Sequence, residues 1–232
     1  MKFLTLLKKD LRESLIPGVL ATLVFSGLSF FSMRSWARQG WHDYRIPQYE
    51  PWYGPEYGIF HRYPIGEIGG QLFAASLVLG TTLGLLHFGL PRLSRTWAFL
   101  LHRPVSRSTI LGSKLLATVV AFGVSLGIPW SSAYAHIPQV RATLFPPNPQ
   151  VFWEGWLFIG LGLMLYLCVA QCAVSHARWY TTRLCGPVFA TILIVALFGI
   201  GTISAAFQLL FLGFAIFLVL LVTTFLNRDS NA

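Results

Sequence analysis

The chain has 232 residues, of which 55% are hydrophobic and only 11% charged, with a mean hydropathy of +0.63. A water-soluble domain carries about 25% charged residues, so this composition excludes an ordinary soluble enzyme and points to lipid as the solvent. The net charge of +9 does not mark a nucleic-acid binder, because the Lys and Arg residues border apolar tracts, where headgroups and membrane orientation account for them.

The elements follow in chain order. Leu4, Leu7, Leu11 and Leu15 recur at three- and four-residue spacing, while Lys8, Lys9, Asp10, Arg12 and Glu13 fall mostly elsewhere. That pattern predicts an amphipathic helix over residues 1–14 lying on the inner membrane surface. A first span follows over about 15–33; it exceeds a signal-peptide core and lacks a small-x-small cleavage pattern before Arg34, so it is read as retained. The loop 34–67 holds nine aromatics, from Trp36 to Tyr63, and Pro47, Pro51, Pro55 and Pro64. It is read as an aromatic belt at the outer headgroups; His42, Asp43, Glu56 and His61 are too irregularly spaced to mark a metal site.

A second span covers about 68–90, a third 111–134 and a fourth 153–175. Leu184 to Asn227 then runs 44 residues without a charge, which as one helix is about 66 Å, roughly twice the membrane thickness. Gly199 and Gly201, with Thr202 and Ser204 to satisfy freed backbone groups, predict a turn there. The last two spans, about 184–201 and 205–226, form a C-terminal helical hairpin. The expectation is an all-α integral membrane protein: one transmembrane domain over 1–232 with six transmembrane helices. With the N-terminus inside, twelve Lys and Arg face the cytoplasm and five the other side, so both termini are expected in the cytoplasm.

Within the uncharged tracts of the spans, which start at Leu115 in the third and Gly155 in the fourth, His87 is the one ionisable residue this reading places in the membrane, near an interface. Gln71, Gln171 and Gln208 are the bulkier polar groups, suited to interhelix hydrogen bonds or a pathway lining. Gly80-x-x-x-Gly84 and Gly123-x-x-x-Gly127 allow close helix approach, and Cys168 and Cys172 read as small buried hydrophobes beside a third cysteine, Cys185. With no carboxylate expected at mid-membrane, a pathway is apolar and suits an amphipathic or lipid-like substrate.

The cytoplasmic connection carries the most specific signal. Trp97 to His102 is apolar and helix-forming, Pro104 forces Arg103 out of the α region, and Ser106 caps a helix starting at about Arg107. An apolar corner ringed by arginines suits docking into a protein cleft or anchoring at the interface. The string LLHRPVSRSTILGSKLLA, with Leu100, Leu101, Arg103, Pro104, Val105, Ser106, Arg107, Ile110 and Lys114, resembles the signature of the type-2 ATP-binding-cassette (ABC) exporter permeases. Phe88 to Thr96, where members often carry acids, has none.

The resemblance implies a membrane-spanning permease subunit that pairs with an identical or related second permease subunit. It implies that Trp97, Leu100, Leu101, Arg103, Pro104, Val105, Ser106 and Arg107 dock a separate ATPase subunit, and that ATP and magnesium are bound there. The chain itself has no G-x-x-x-x-G-K-[ST] loop, and no cofactor, metal or catalytic residue is expected on it. Two other readings stay open: an intramembrane lipid-modifying enzyme, drawing on Glu154, His87, His102 or His136, and a structural or sensory membrane subunit.

Overall fold

Prolines shape two of the long helices. Pro91 and Pro129 lack an N–H, and each ring would collide with the carbonyl four residues back, on His87 and Ser125. In the computed structural model both helices widen into a π-helical turn at that point, over Leu85–Gly89 and Gly123–Gly127, with Leu90 N–H bonded to the Leu85 carbonyl and Ile128 N–H to that of Gly123. The freed Ser125 carbonyl finds a donor across the bundle, lying 3.1 Å from Thr22 Oγ1.

The structure describes residues 2–38, 64–94, 106–140, 149–175, 185–198 and 202–226. All described elements are helical: α1 (Lys2–Arg38); α2 (Pro64–Gly84, continued by the π turn and Leu90–Leu93); α3 (Arg107–Phe122, the second π turn and Ile128–Val140); α4 (Pro149–Val174); α5 (Cys185–Phe198); and α6 (Ile203–Leu226). Five of them, all but α5, are long and apolar enough to cross a membrane. Large side chains such as Ile16, Phe31 and Phe211 point outward and are more than 70% exposed, as expected where the surroundings are acyl chains. In α4, by contrast, 61% of the apolar stretch is buried, against 22% in α1 and 28% in α6. The fourth helix is the hub, and α1 and α6 are its periphery.

Contacts set the directions. Ser14 meets His87 and Gln71 meets Ser32, so α2 runs antiparallel to α1; Asp10 meets Ser113, and Thr22 meets Ser125, so α3 runs parallel to it. Ser76 bonds to the Phe158 carbonyl (2.8 Å) and Arg92 to that of Ser175 (3.0 Å), making α4 parallel to α2. Leu210 lies over Gly160 and Thr224 bonds to Gln171, making α6 parallel to α4. Between these two parallel helices α5 runs back, with Gly186 beside Cys168 and Cys172 and Leu193 against Gly213. The start of α1 and the end of α6 therefore lie at the same end of the bundle, where Arg107 donates to the Leu226 carbonyl at 3.3 Å.

Three differences from the sequence reading have physical causes. The separate surface helix over 1–14 is not seen: α1 is one continuous 37-residue helix, about 55 Å long. Asp10 and Ser14 are buried against α3 and α2, which holds the first turns along the bundle axis rather than across it. The 34–67 loop is shorter than expected, because α1 extends to Arg38 and α2 begins at Pro64; its aromatic-rich middle lies outside the described residues. The hairpin helix α5 has 14 residues, about 21 Å against a hydrocarbon core of about 30 Å.

Close helix approach occurs at one of the two glycine pairs. On α2, a methyl added at Gly80 would overlap the Gly162 carbonyl of α4, and one at Gly84 would press on Val169. Gly123 faces open space, while Gly127 abuts the Trp156 ring. At the far end of the bundle the buried Trp130 indole occupies the room left by Gly155 and donates to the Phe152 carbonyl (3.1 Å).

Arg92, at the end of α2, donates to the Ala173 and Ser175 carbonyls at the end of α4, where free carbonyls and the helix dipole favour a cation. Replacing it by methionine is expected to cost about 2 kcal/mol, read as a lower thermal midpoint of the detergent-purified protein. An unchanged midpoint would mean that water satisfies those carbonyls equally well.

Candidate functional site

The inward face of α1 is polar, the reverse of a soluble amphipathic helix. Asp10, Ser14, Gly18, Phe25, Ser29 and Ser32 are its buried residues, whereas Leu15, Ile16, Val19, Leu20 and Leu23 face out. A helical turn of 3.6 residues places Asp10 opposite Lys8 and Arg12, which are exposed. Asp10 thereby points into the bundle, where it is buried.

There it meets the second and third turns of α3. Lys114 Nζ lies 3.4 Å from Asp10 Oδ1, with the two side chains 7% and 5% exposed, and Ser113 Oγ donates to Asp10 Oδ2 at 2.6 Å. The Lys114 ammonium also sits over the Phe88 ring, 5.9 Å from its centre, a cation–π contact. Each charge is thus paired and hydrogen-bonded or stacked, the condition under which buried charge is tolerated.

The network continues to α2 and α4 through His87. Ser14 Oγ donates to the Asp10 carbonyl (2.8 Å) and lies 3.1 Å from His87 Nε2; Tyr166 Oη lies 3.2 Å from His87 Nδ1. With the proton on Nε2, His87 donates to Ser14 and accepts from Tyr166, and every group in the chain is satisfied. Thr118, 3.4 Å from Nδ1, donates to the Lys114 carbonyl instead. The π turn that accommodates Pro91 contains His87 and Phe88, both with no exposed surface.

His87, expected near a membrane interface, is enclosed by α1, α3 and α4. One reading from the sequence is corrected here: the interior is not free of charge, since Asp10 and Lys114 are buried. Both had been assigned to solvated flanks, because a count of charges along the chain does not say which helix face each one occupies. The signal was present in the periodicity: Asp10, Ser14 and Gly18 recur at four-residue spacing, opposite the exposed apolar face of Leu15, Ile16, Val19, Leu20 and Leu23 rather than opposite the stripe of Leu4, Leu7 and Leu11.

The expected docking residues divide. Trp97, Leu100, Leu101, Arg103, Pro104 and Val105 lie outside the described residues. Ser106 is the N-cap of α3, with extended backbone and its Oγ accepting from Thr109 N–H at 3.3 Å. Arg107 begins the helix and reaches the end of α6. Ser106→Ala is expected to cost about 1 kcal/mol of stability; a thermal midpoint equal to wild type would show that water replaces the cap.

The three glutamines do not gather. Gln71 donates to Ser32 (2.8 Å) near the far end of α1 and α2, Gln171 to Thr224 (3.0 Å) near the near end of α4 and α6, and Gln208 is exposed on α6. Gln71 Oε1, Gln171 Oε1 and Ser29 Oγ are buried without a hydrogen-bond partner. Gln71 and Gln171 thus act as helix-to-helix ties. Among the described residues there is no cluster of His, Cys, Asp and Glu able to hold a metal. Comparison of the chain with protein-family models, curated proteins and solved structures gives no match.

Proposed function

We propose that this chain is the membrane-spanning permease subunit of an ATP-binding-cassette exporter, driven by a separate ATPase subunit that binds ATP and magnesium. The observation that carries the reading is the Leu100 to Lys114 string together with the anchoring of its described end: Ser106 caps α3, Arg107 holds the end of α6 and Lys114 holds α1. A connection that leads straight into three helices is suited to receive force from a partner. Trp97, Leu100 and Leu101 are its apolar anchors and Arg103 its rim charge.

In this reading the chain crosses the membrane six times. The reversal of α5 between the parallel helices α4 and α6 supports a crossing there despite its length. Both termini and the 95–105 connection face the cytoplasm of a bacterial-type inner membrane, as the charge asymmetry favours. The bundle interior is filled along its axis by the Gly80–Gly162 contact and by buried Phe122, Trp130 and Tyr166. The substrate route is therefore assigned to the surface between two permease copies, identical or related. The outward surfaces are apolar, which suits an amphipathic or lipid-like substrate moving in contact with membrane lipids.

The test is capture of the partner. A tagged chain purified from its own host in mild detergent should bring down an ATPase subunit, and Leu100→Asp with Arg103→Glu should release it. Purification without any ATPase, combined with normal cellular function of the double variant, would sink the proposal.

A further inference from the structure

The Asp10–Lys114 pair joins two segments that have no covalent reason to move together. Lys114 is two turns into α3, directly after the connection assigned above to the ATPase, and Asp10 is in the third turn of α1. Around them Ser113 bonds to Asp10, and Ser14 passes the link from α1 to His87 in the last turns of α2.

As a source of stability such a pair is a poor choice. Two desolvated charges cost about as much to bury as their attraction returns, and apolar residues of equal volume often serve as well. What the pair does supply is register. Besides the Thr22 bond to the Ser125 carbonyl further along, apolar contacts are non-directional, whereas a displacement of one turn, about 5.4 Å, would leave both charges buried and unpaired. The two helices have one low-energy alignment at this level.

The geometry points to Asp10 and Lys114 as positioning residues that lock α1 to the first two turns of α3. A displacement delivered at the 95–105 connection then moves α1, α3 and the last turns of α2 as one body. The coupling role rests on the permease reading; the register lock does not, and the two are measured separately.

The lock is read on the purified chain alone. Spin labels are placed at the exposed Lys9 of α1 and Ser108 of α3, in a background with Cys168, Cys172 and Cys185 replaced by alanine. The intact pair should show one narrow distance distribution, and Asp10→Asn with Lys114→Met a broadened or second one. An unchanged distribution overturns the lock whatever the chain does in the cell.

The coupling is read on the complex with its ATPase in liposomes. The same double variant should retain the ATPase at wild-type stoichiometry while transport per ATP hydrolysed falls about tenfold, and Lys114→Arg, which keeps the pair, should retain most of it. Wild-type coupling in the double variant overturns the role, as does loss of the ATPase, which would make the pair part of the docking surface. Failure of the wild-type chain to bind any ATPase removes the permease reading and the coupling with it, and leaves the lock standing on the distance measurement.

Discussion

Gly162→Val is expected to prevent assembly of a stable bundle. A Cβ at Gly162 falls 2.5 Å from the Ser76 carbonyl of α2 and 2.7 Å from Phe122 of α3, and the reciprocal position, Gly80, touches the Gly162 carbonyl. The ring of Phe122 is fully buried and the carbonyl belongs to a helix, so neither obstacle can swing aside. Overpacking of a buried site costs about 1–3 kcal/mol when neighbours adjust; here the helices themselves must separate, and about 3 kcal/mol or more is expected. The contact also brings the backbones close enough for Ser76 Oγ to donate to the Phe158 carbonyl, a bond that would be lost with it. Size-exclusion chromatography after mild detergent extraction should show aggregated or vanishing protein. Gly27→Val and Gly70→Val, at positions with nothing within 4 Å, should remain monodisperse. A monodisperse Gly162→Val protein with a wild-type thermal midpoint would show that α2 and α4 are not in contact at this level.

The second large effect concerns the buried ions. Asp10→Asn leaves the Lys114 ammonium beneath Phe88 without a counter-charge, and Lys114→Met leaves the Asp10 carboxylate with Ser113 alone. Removal of one partner of a buried pair costs about 3–5 kcal/mol. The combined variant removes both charges and should be nearer wild type than either single change. The thermal midpoints of the four proteins, compared as a double-mutant cycle, measure this non-additivity. Additive losses, or singles that cost under about 0.5 kcal/mol, would place the two groups in water and remove the network as a structural unit.

Much of the helical layout was legible without coordinates. Uncharged tracts of about 20 residues are read directly as helices long enough for a bilayer, because lipid forces each segment to satisfy its own backbone. Ser106 before Arg107 reads as a cap because a short hydroxyl side chain suits an orphan N–H; the turn expected at Gly199 and Gly201 lies outside the described residues. The two π turns were not read from the sequence: Pro91 and Pro129 each sit two residues beyond one, yet Pro17 lies inside α1, which continues as an α-helix, so a proline alone does not specify the widened turn.

Composition and local pattern by themselves determined a helical, lipid-solvated chain with several helices long enough to cross a membrane, since those depend on interactions within each segment. Tertiary structure decided which face of each helix is inside. Asp10 and Lys114 are 104 positions apart, and a count of charges along the chain does not separate them from Lys8, Lys9 or Arg107. They become a buried pair because α1 and α3 run parallel with their small and polar faces together, and because α1 continues straight where a surface helix was expected. The same holds for His87, whose enclosure depends on Tyr166 from α4 and Ser14 from α1. The polar contacts between distant helices fix the alignment at these levels, and only the packing of those helices reveals them.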